Sequence, residues 1–192
     1  WIAAREHGSI RGAVLQGAGN HFCPGGNPYR MLASSATSLP AAARASIDLF
    51  DGFCRLRTLP MPVVCAAHGA VLGGGLAICL LTDFVACNDT ATFQVGERSR
   101  SIHPAGLLTR TLADAVGQDV ALDFYLTERV ASATEACEIG LVQAVATSVR
   151  NAHQRAYGLA RQFALSVDAN AGWTFAEQRL LEGELPASDR HV

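Results

Sequence analysis

Pro62-Val63-Val64-Cys65-Ala66-Ala67-His68-Gly69-Ala70-Val71-Leu72-Gly73-Gly74-Gly75 opens on a short apolar run and closes on three glycines. Five consecutive apolar residues after the Leu59-Pro60-Met61-Pro62 break predict a buried strand from Val63 to Ala67. Gly69 to Gly75 then reads as a glycine-rich turn, and Leu76 to Leu81 as an apolar helix ending near Thr82-Asp83. A strand that feeds a turn and then a helix leaves backbone N–H groups unpaired at the helix start, where negative charge is favoured. Three glycines also serve simple close packing of helix on strand, and the triplet alone does not separate the two uses. The spacing lacks the Gly-Lys-Ser/Thr ending of a phosphate loop and the G-x-G-x-x-G dinucleotide fingerprint.

Upstream, Gly12 to Gln16 predicts a strand, and Gly17 to Pro28 a loop rich in Gly, Pro and Asn. Ile47, Leu49, Phe50, Phe53 and Leu56 recur near helical spacing and predict a crossover helix between Ala41 and Arg57. Downstream, Phe84 to Cys87 and Ala91 to Val95 read as strands around an Asn88-Asp89 turn. Helices are expected over Pro104 to Val116, Val120 to Leu126 and Thr134 to Ile139, the last capped by Ser132 or Thr134 and stopped by Gly140. A strand at Leu141 to Val145 and helices at about Val149 to Leu165 and Ala171 to Leu185 complete the pattern. Strands alternating with helices imply an α/β layered fold with parallel strand pairs, in one domain spanning residues 1–192.

Composition narrows the function classes. A chain of 192 residues, 49% hydrophobic and 17% charged, can bury one substantial core. A formal net charge of -2 provides no global attraction to nucleic acid or an anionic membrane. Arg98, Arg100 and Arg110 are loosely spaced without interleaved aromatics, which fits a solvated face. The longest apolar candidate, Val63 to Cys87, is broken by His68, Gly73 to Gly75 and Asp83, so no membrane span is expected. Six cysteines without a C-x-x-C pair, mostly inside apolar runs, predict buried thiols in a reducing intracellular compartment, cytoplasm or organelle matrix, and no metal site.

A second glycine loop follows the first strand. In Phe22-Cys23-Pro24-Gly25-Gly26-Asn27, Gly25 and Gly26 let backbone N–H approach a ligand closely. Two such loops at the same ends of parallel strands can converge on one cleft. One N–H from each would form an oxyanion hole, worth several kcal/mol against charge that develops in a transition state.

These residues, with Ile10-Arg11-Gly12-Ala13-Val14-Leu15-Gln16-Gly17-Ala18-Gly19 before them, closely resemble the enoyl-CoA hydratase/isomerase (crotonase) family. Thr82-Asp83-Phe84-Val85-Ala86-Cys87 and the stretch from Leu126-Thr127-Glu128-Arg129 to Gly140-Leu141-Val142 extend the resemblance to about Val145. It implies the ClpP/crotonase-like α/β fold of repeated ββα units with C-terminal helices, here without the N-terminal hairpin and the C-terminal helix. It also implies that Gly26 and Gly74, flanked by Gly25 and Gly73, offer their N–H groups to a thioester carbonyl. The family's hydratases carry two glutamates. The first position is Ala77 in this chain, which counts against standard hydration because a methyl cannot hold or deprotonate water. The second falls on Glu97 in Phe93-Gln94-Val95-Gly96-Glu97.

A single glutamate suffices to move a double bond, so the expectation is 3-enoyl to 2-enoyl isomerisation of an acyl thioester. The alternatives are a polyketide-type acyl-carrier-protein dehydratase or decarboxylase, an enoyl-CoA hydratase, or a non-catalytic crotonase-fold interaction module. For Glu97 alone, the competing reading is a surface ion pair with Arg98 or Arg100. His103 is a candidate second proton carrier, or a loop histidine facing solvent. Arg30, the nearest cation after Gly26, is a candidate for a carrier phosphate. His68 stands where the family commonly has Asn and reads as structural, and no base adjoins Cys23 to make it a nucleophile. No cofactor is expected beyond coenzyme A or phosphopantetheine as part of the substrate, and the family implies a homotrimer or hexamer.

Overall fold

The computed structural model describes residues 10–26 and 39–166. Strand β1 (Ala13–Gln16) and helix α1 (Leu39–Cys54), which runs into a 3-10 turn at Arg55–Thr58, precede β2 (Val63–Ala67). Then come β3 (Ala70–Leu72), α2 (Gly74–Leu80), β4 (Phe84–Asn88), β5 (Thr92–Gln94) and a 3-10 turn at Arg98–Arg100. Helices α3 (Leu108–Val116) and α4 (Gln118–Thr127), strand β6 (Ala131–Ser132), helix α5 (Ala133–Glu138), strand β7 (Ala144–Ala146) and helix α6 (Val149–Ser166) follow. This is the crotonase-type α/β arrangement. One sheet runs β1-β2-β4-β7, all parallel, and a smaller one runs β3-β5-β6.

The larger sheet is covered on both faces, which is why β2 is buried throughout. Val64, Ala66 and Ala86 meet Ala156, Leu159 and Ala160 of α6. The alternate residues Cys65, Ala67, Val85 and Cys87 face the main core with Leu76, Leu108 and Phe124. Asp83 ties the entry to β2, since its carboxylate accepts from Val63 N at 2.8 Å while its own N–H donates to Val63 O at 2.9 Å. Ser132 caps α5 by accepting from Glu135 N, and Gly140 follows with φ 84°.

Several boundaries depart from the sequence reading. The Gly69 to Gly75 turn contains β3, a strand of three residues that pairs parallel with β5, Val71 opposite Phe93. The helix expected from Pro104 begins at Leu108, because Gly106 and Leu107 are left-handed (φ 63° and 61°) and interrupt it. The strand expected at Leu141 to Val145 is Ala144–Ala146, since Leu141 and Val142 pack into the main core. On α1, Ile47 and Leu49 are 62% and 57% exposed, so its apolar spacing does not mark a fully buried face. The second helix expected near the end, at Ala171 to Leu185, lies outside the described residues.

Candidate active site

The loop after β1 does not stand away from the rest. Cys23 forms a parallel bridge with Val71, Cys23 N donating to Ala70 O at 3.3 Å and Leu72 N donating to Cys23 O at 3.1 Å. The loop therefore meets β3 at a single parallel rung. Three residues beyond the bridge, one chain reaches Gly26 and the other Gly74. Both chains leave this parallel rung in the same direction, so the two glycines lie at the same end of it. Gly25, at φ 90°, presses against this strand, where an added Cβ would lie 3.0 Å from Leu72 O.

The glycine triplet divides its work. Gly75 is the packing glycine, because an added Cβ would sit 2.1 Å from Cys23 O. Gly73, with φ 56° and ψ -117°, donates to Gln94 O at 3.0 Å and lies against the Glu97 carboxylate, with Oε1 3.0 Å from the Cβ position. Gly74 opens α2 and has no preceding turn to accept its N–H. Among the described residues no carbonyl or side chain accepts from Gly74 N or from Gly26 N. Close packing thus falls to Gly75, while the Gly74 N–H is left without an acceptor among the described residues.

Glu97 is only 7% exposed, and its Oε2 accepts from Gly96 N at 2.7 Å. Burial pushes its carboxyl above the usual carboxylate range, opposed by hydrogen bonds from the Gly96 and Glu97 backbone, with the Glu128 charge raising it further and Arg100 lowering it. The arginines named as ion-pair partners are engaged elsewhere. Arg98 donates to Leu126 O at 3.2 Å, and Arg100 donates to the Gly96 carbonyl. Among the described residues no ion pair includes Glu97. Its segment is clamped to the end of α4, where the Glu128 carboxylate accepts from Ser99 N at 3.0 and 3.1 Å and Gln94 donates to Glu128 O at 2.7 Å.

Ala77 is buried, and its methyl lies 3.3 Å from the Cβ position of Gly106. The ring of Phe50 lies 3.6 Å from that of Gly74 and 3.1 Å from that of Gly106. Phe50 is the residue that sequence reasoning did not single out, because helical spacing marked it only as core. A cavity of about 180 Å3 lies between α3 and α4, lined by Val95, Pro104, Leu108, Leu112, Ala121 and Tyr125 among others. His103 is exposed and Arg30 lies outside the described residues. The arrangement thus brings Gly25, Gly26, Gly73, Gly74, Ala77, Phe50 and Glu97 to one region. It offers two backbone donors and one buried carboxyl, a set suited to holding an enolate while a proton moves.

The family model described as Enoyl-CoA hydratase/isomerase matches residues 2–174. A probable enoyl-CoA hydratase of Mycobacterium tuberculosis is 34% identical over 139 residues, covering 70% of this chain and 49% of its own length. A probable mitochondrial enoyl-CoA hydratase of Arabidopsis thaliana is 32% identical over 142 residues, 73% of this chain and 46% of that protein. The chain therefore spans about half the length of these curated relatives. Among solved structures, an enoyl-CoA hydratase from Polaromonas sp. JS666 superposes with TM-score 0.83 at 30% identity, covering 95% of this chain and 69% of that one. An enoyl-CoA hydratase from Bacillus anthracis gives 0.77 at 28% identity, covering 85% and 62%.

Proposed function

This chain belongs to the enoyl-CoA hydratase/isomerase family, and from that premise we propose that it binds an acyl thioester of coenzyme A and moves a carbon–carbon double bond from the 3 to the 2 position. The observation that carries this reading is the single buried carboxyl of Glu97 against Gly73, with the Ala77 methyl where the family's hydratases hold a second glutamate. The thioester oxygen accepts from Gly26 N and Gly74 N. Glu97, as carboxylate, removes a proton from the carbon alpha to the thioester. The electron pair moves onto the oxygen, where the two N–H groups oppose its charge. The carboxylic acid then returns the proton at the gamma carbon, leaving the double bond conjugated with the carbonyl.

A raised Glu97 pKa suits the first step of this cycle, because burial makes its carboxylate a stronger base toward the alpha proton than an ordinary glutamate. Hydration of a 2-enoyl thioester is the second reading, favoured by the names of the relatives. Whole-chain expectations of a trimer or hexamer, of a single domain and of a reducing compartment belong to the same proposal. The compartment is supported by the buried thiols, Cys65 held well above its ordinary pKa by burial and Cys87 pushed up to about 12 for the same reason. No helix of the described residues is long and apolar enough to cross a membrane.

Solvent deuterium incorporation at the alpha and gamma carbons tests the proposal, using a 3-enoyl thioester on coenzyme A and on an acyl-carrier protein. Exchange that falls by about 10²- to 10⁴-fold in Glu97→Gln is expected. Exchange untouched by that substitution refutes the single-base mechanism, and oxygen incorporation from labelled water into a 2-enoyl thioester without exchange at gamma selects hydration.

A further inference from the structure

The position of Gly26 depends on a loop that its own sequence does little to hold. Gly17, Gly19, Gly25 and Gly26 all lie within ten residues, and glycine imposes the fewest backbone preferences. What fixes the loop comes from outside it or from one side chain within it. Phe22 N donates to the backbone oxygen of His68 at 2.7 Å, and the His68 ring reaches Gly19 O through Nε2 at 3.1 Å. In the opposite sense, Ala70 N donates to Nδ1 of His21 at 3.0 Å. Gly69, at φ 57°, completes the seam, because an added Cβ there would lie 2.2 Å from Asn20 O and 2.6 Å from His21 Nδ1.

Hydrogen-bond chemistry assigns each imidazole a form. A carbonyl only accepts, so His68 carries its proton on Nε2; a backbone N–H only donates, so His21 Nδ1 is bare. His68 is 1% exposed, and its Nδ1 has no partner among the described residues. Its neighbour is the ring of His153 on α6, edge-on at 5.5 Å, whose basicity is lowered by burial and then by His68. The two rings grip the loop at Gly19 and at His21 itself, on either side of Asn20, and both contacts lead to the β2–β3 connection that carries on to Gly74.

We propose that His21 and His68 are positioning residues, a two-imidazole latch that sets the Gly26 N–H beside the Gly74 N–H. This rests on the oxyanion-hole reading above. Neither ring touches the substrate in this scheme; each acts through the loop. The latch predicts a polarity for substitution. Glutamine places an amide nitrogen where histidine has Nε2, so His68→Gln keeps the donor and His68→Leu removes it. Asparagine places an oxygen where histidine has Nδ1, so His21→Asn keeps the acceptor and His21→Leu removes it.

The test uses the full chain and butyryl-CoA labelled at the carbonyl carbon, a saturated thioester that cannot isomerise. The infrared carbonyl stretch of the bound ester reports polarisation by the two donors, and turnover of a 3-enoyl-CoA gives kcat and KM separately. The expected result is a lowered stretch in the natural protein, lost in His68→Leu and His21→Leu and restored in His68→Gln and His21→Asn. The leucine variants should lose about 10²-fold in kcat, the order of one misplaced donor, with KM changed far less. A lowered stretch that persists in both leucine variants overturns the latch while leaving the oxyanion hole standing. Bound ester without a lowered stretch in the natural protein overturns the oxyanion hole first, and the latch with it. If His68→Leu fails to fold, exposed His21 supplies the decisive pair, and equal loss in His21→Leu and His21→Asn refutes the assigned acceptor role.

Discussion

Replacing each glycine of the triplet by alanine in turn should produce three different outcomes from one chemical change. At Gly75 the new methyl would stand 2.1 Å from Cys23 O and 2.8 Å from Cys23 Cβ, so the first loop must retreat. Retreat breaks the 3.1 Å bond from Leu72 N and overpacks the seam, together costing roughly 2–6 kcal/mol. That is a large part of the ~5–15 kcal/mol that keeps a domain folded. At Gly73 the methyl meets Glu97 Oε1 at 3.0 Å, and φ 56° with ψ -117° is a conformation that alanine adopts only under strain of about 1–3 kcal/mol. The carboxylate must also shift, and a displacement of about 1 Å can cost on the order of 10²-fold in rate. At Gly74 the methyl meets the Phe50 ring at 3.6 Å, an ordinary contact, and helix propensity favours alanine by up to about 1 kcal/mol. Urea unfolding followed by circular dichroism gives the order, with midpoint and slope read separately. Gly74→Ala is expected at or above the natural stability, Gly73→Ala below it and Gly75→Ala lowest. A Gly75→Ala protein within about 1 kcal/mol of the natural one would refute the close approach of loop and triplet on which the site rests.

Glu97 ties activity and stability to pH with opposite signs. Its folded pKa is raised, so the folded state holds a proton more tightly than the unfolded chain, and stability falls as pH rises from the ordinary carboxylate value through the folded one. Base-dependent exchange should rise through that same upper value, and Glu97→Gln should melt higher than the natural protein above it, the two melting curves converging in acid; parallel curves at every pH would contradict a buried charge. Ala77→Glu places a carboxyl at a position only 1% exposed and beside Gly106, so thermal melts should show lower stability at neutral pH than in mild acid, where the new group is protonated. If the variant also gains hydration of a 2-enoyl thioester, Ala77 is what withholds that reaction.

The outline of the fold was legible because β2, α2 and β4 are contiguous apolar runs separated by strong punctuation. The smaller sheet was not. Its strand β3 is three residues long inside a glycine-rich stretch, and what makes it a strand is pairing with Thr92–Gln94, a contact distant in sequence. Helix α3 was placed four residues early because Pro104 suits a helix start, while the left-handed Leu107 that delays it carries no local signal. Glu97 could be named only through the family resemblance, since a lone glutamate between a glycine and an arginine looks like a surface charge. Its burial comes from the turn that folds it back on Gly73. Phe50 stayed hidden for the converse reason, because apolar spacing reports that a face is apolar and not what that face meets.

The single rung between Cys23 and Val71 makes chain length a stricter inheritance than chemistry at this site. Since both proposed donors are main-chain groups, the letters at positions 26 and 74 can drift as far as backbone shape allows. Their distance from the rung cannot. One residue gained or lost between 23 and 26 shifts that N–H by up to about 3.3–3.6 Å relative to the rung, while Gly74 stays where it is. Insertions just past the rung on either strand are therefore the changes this cradle absorbs least, even where substitutions a residue away leave it intact.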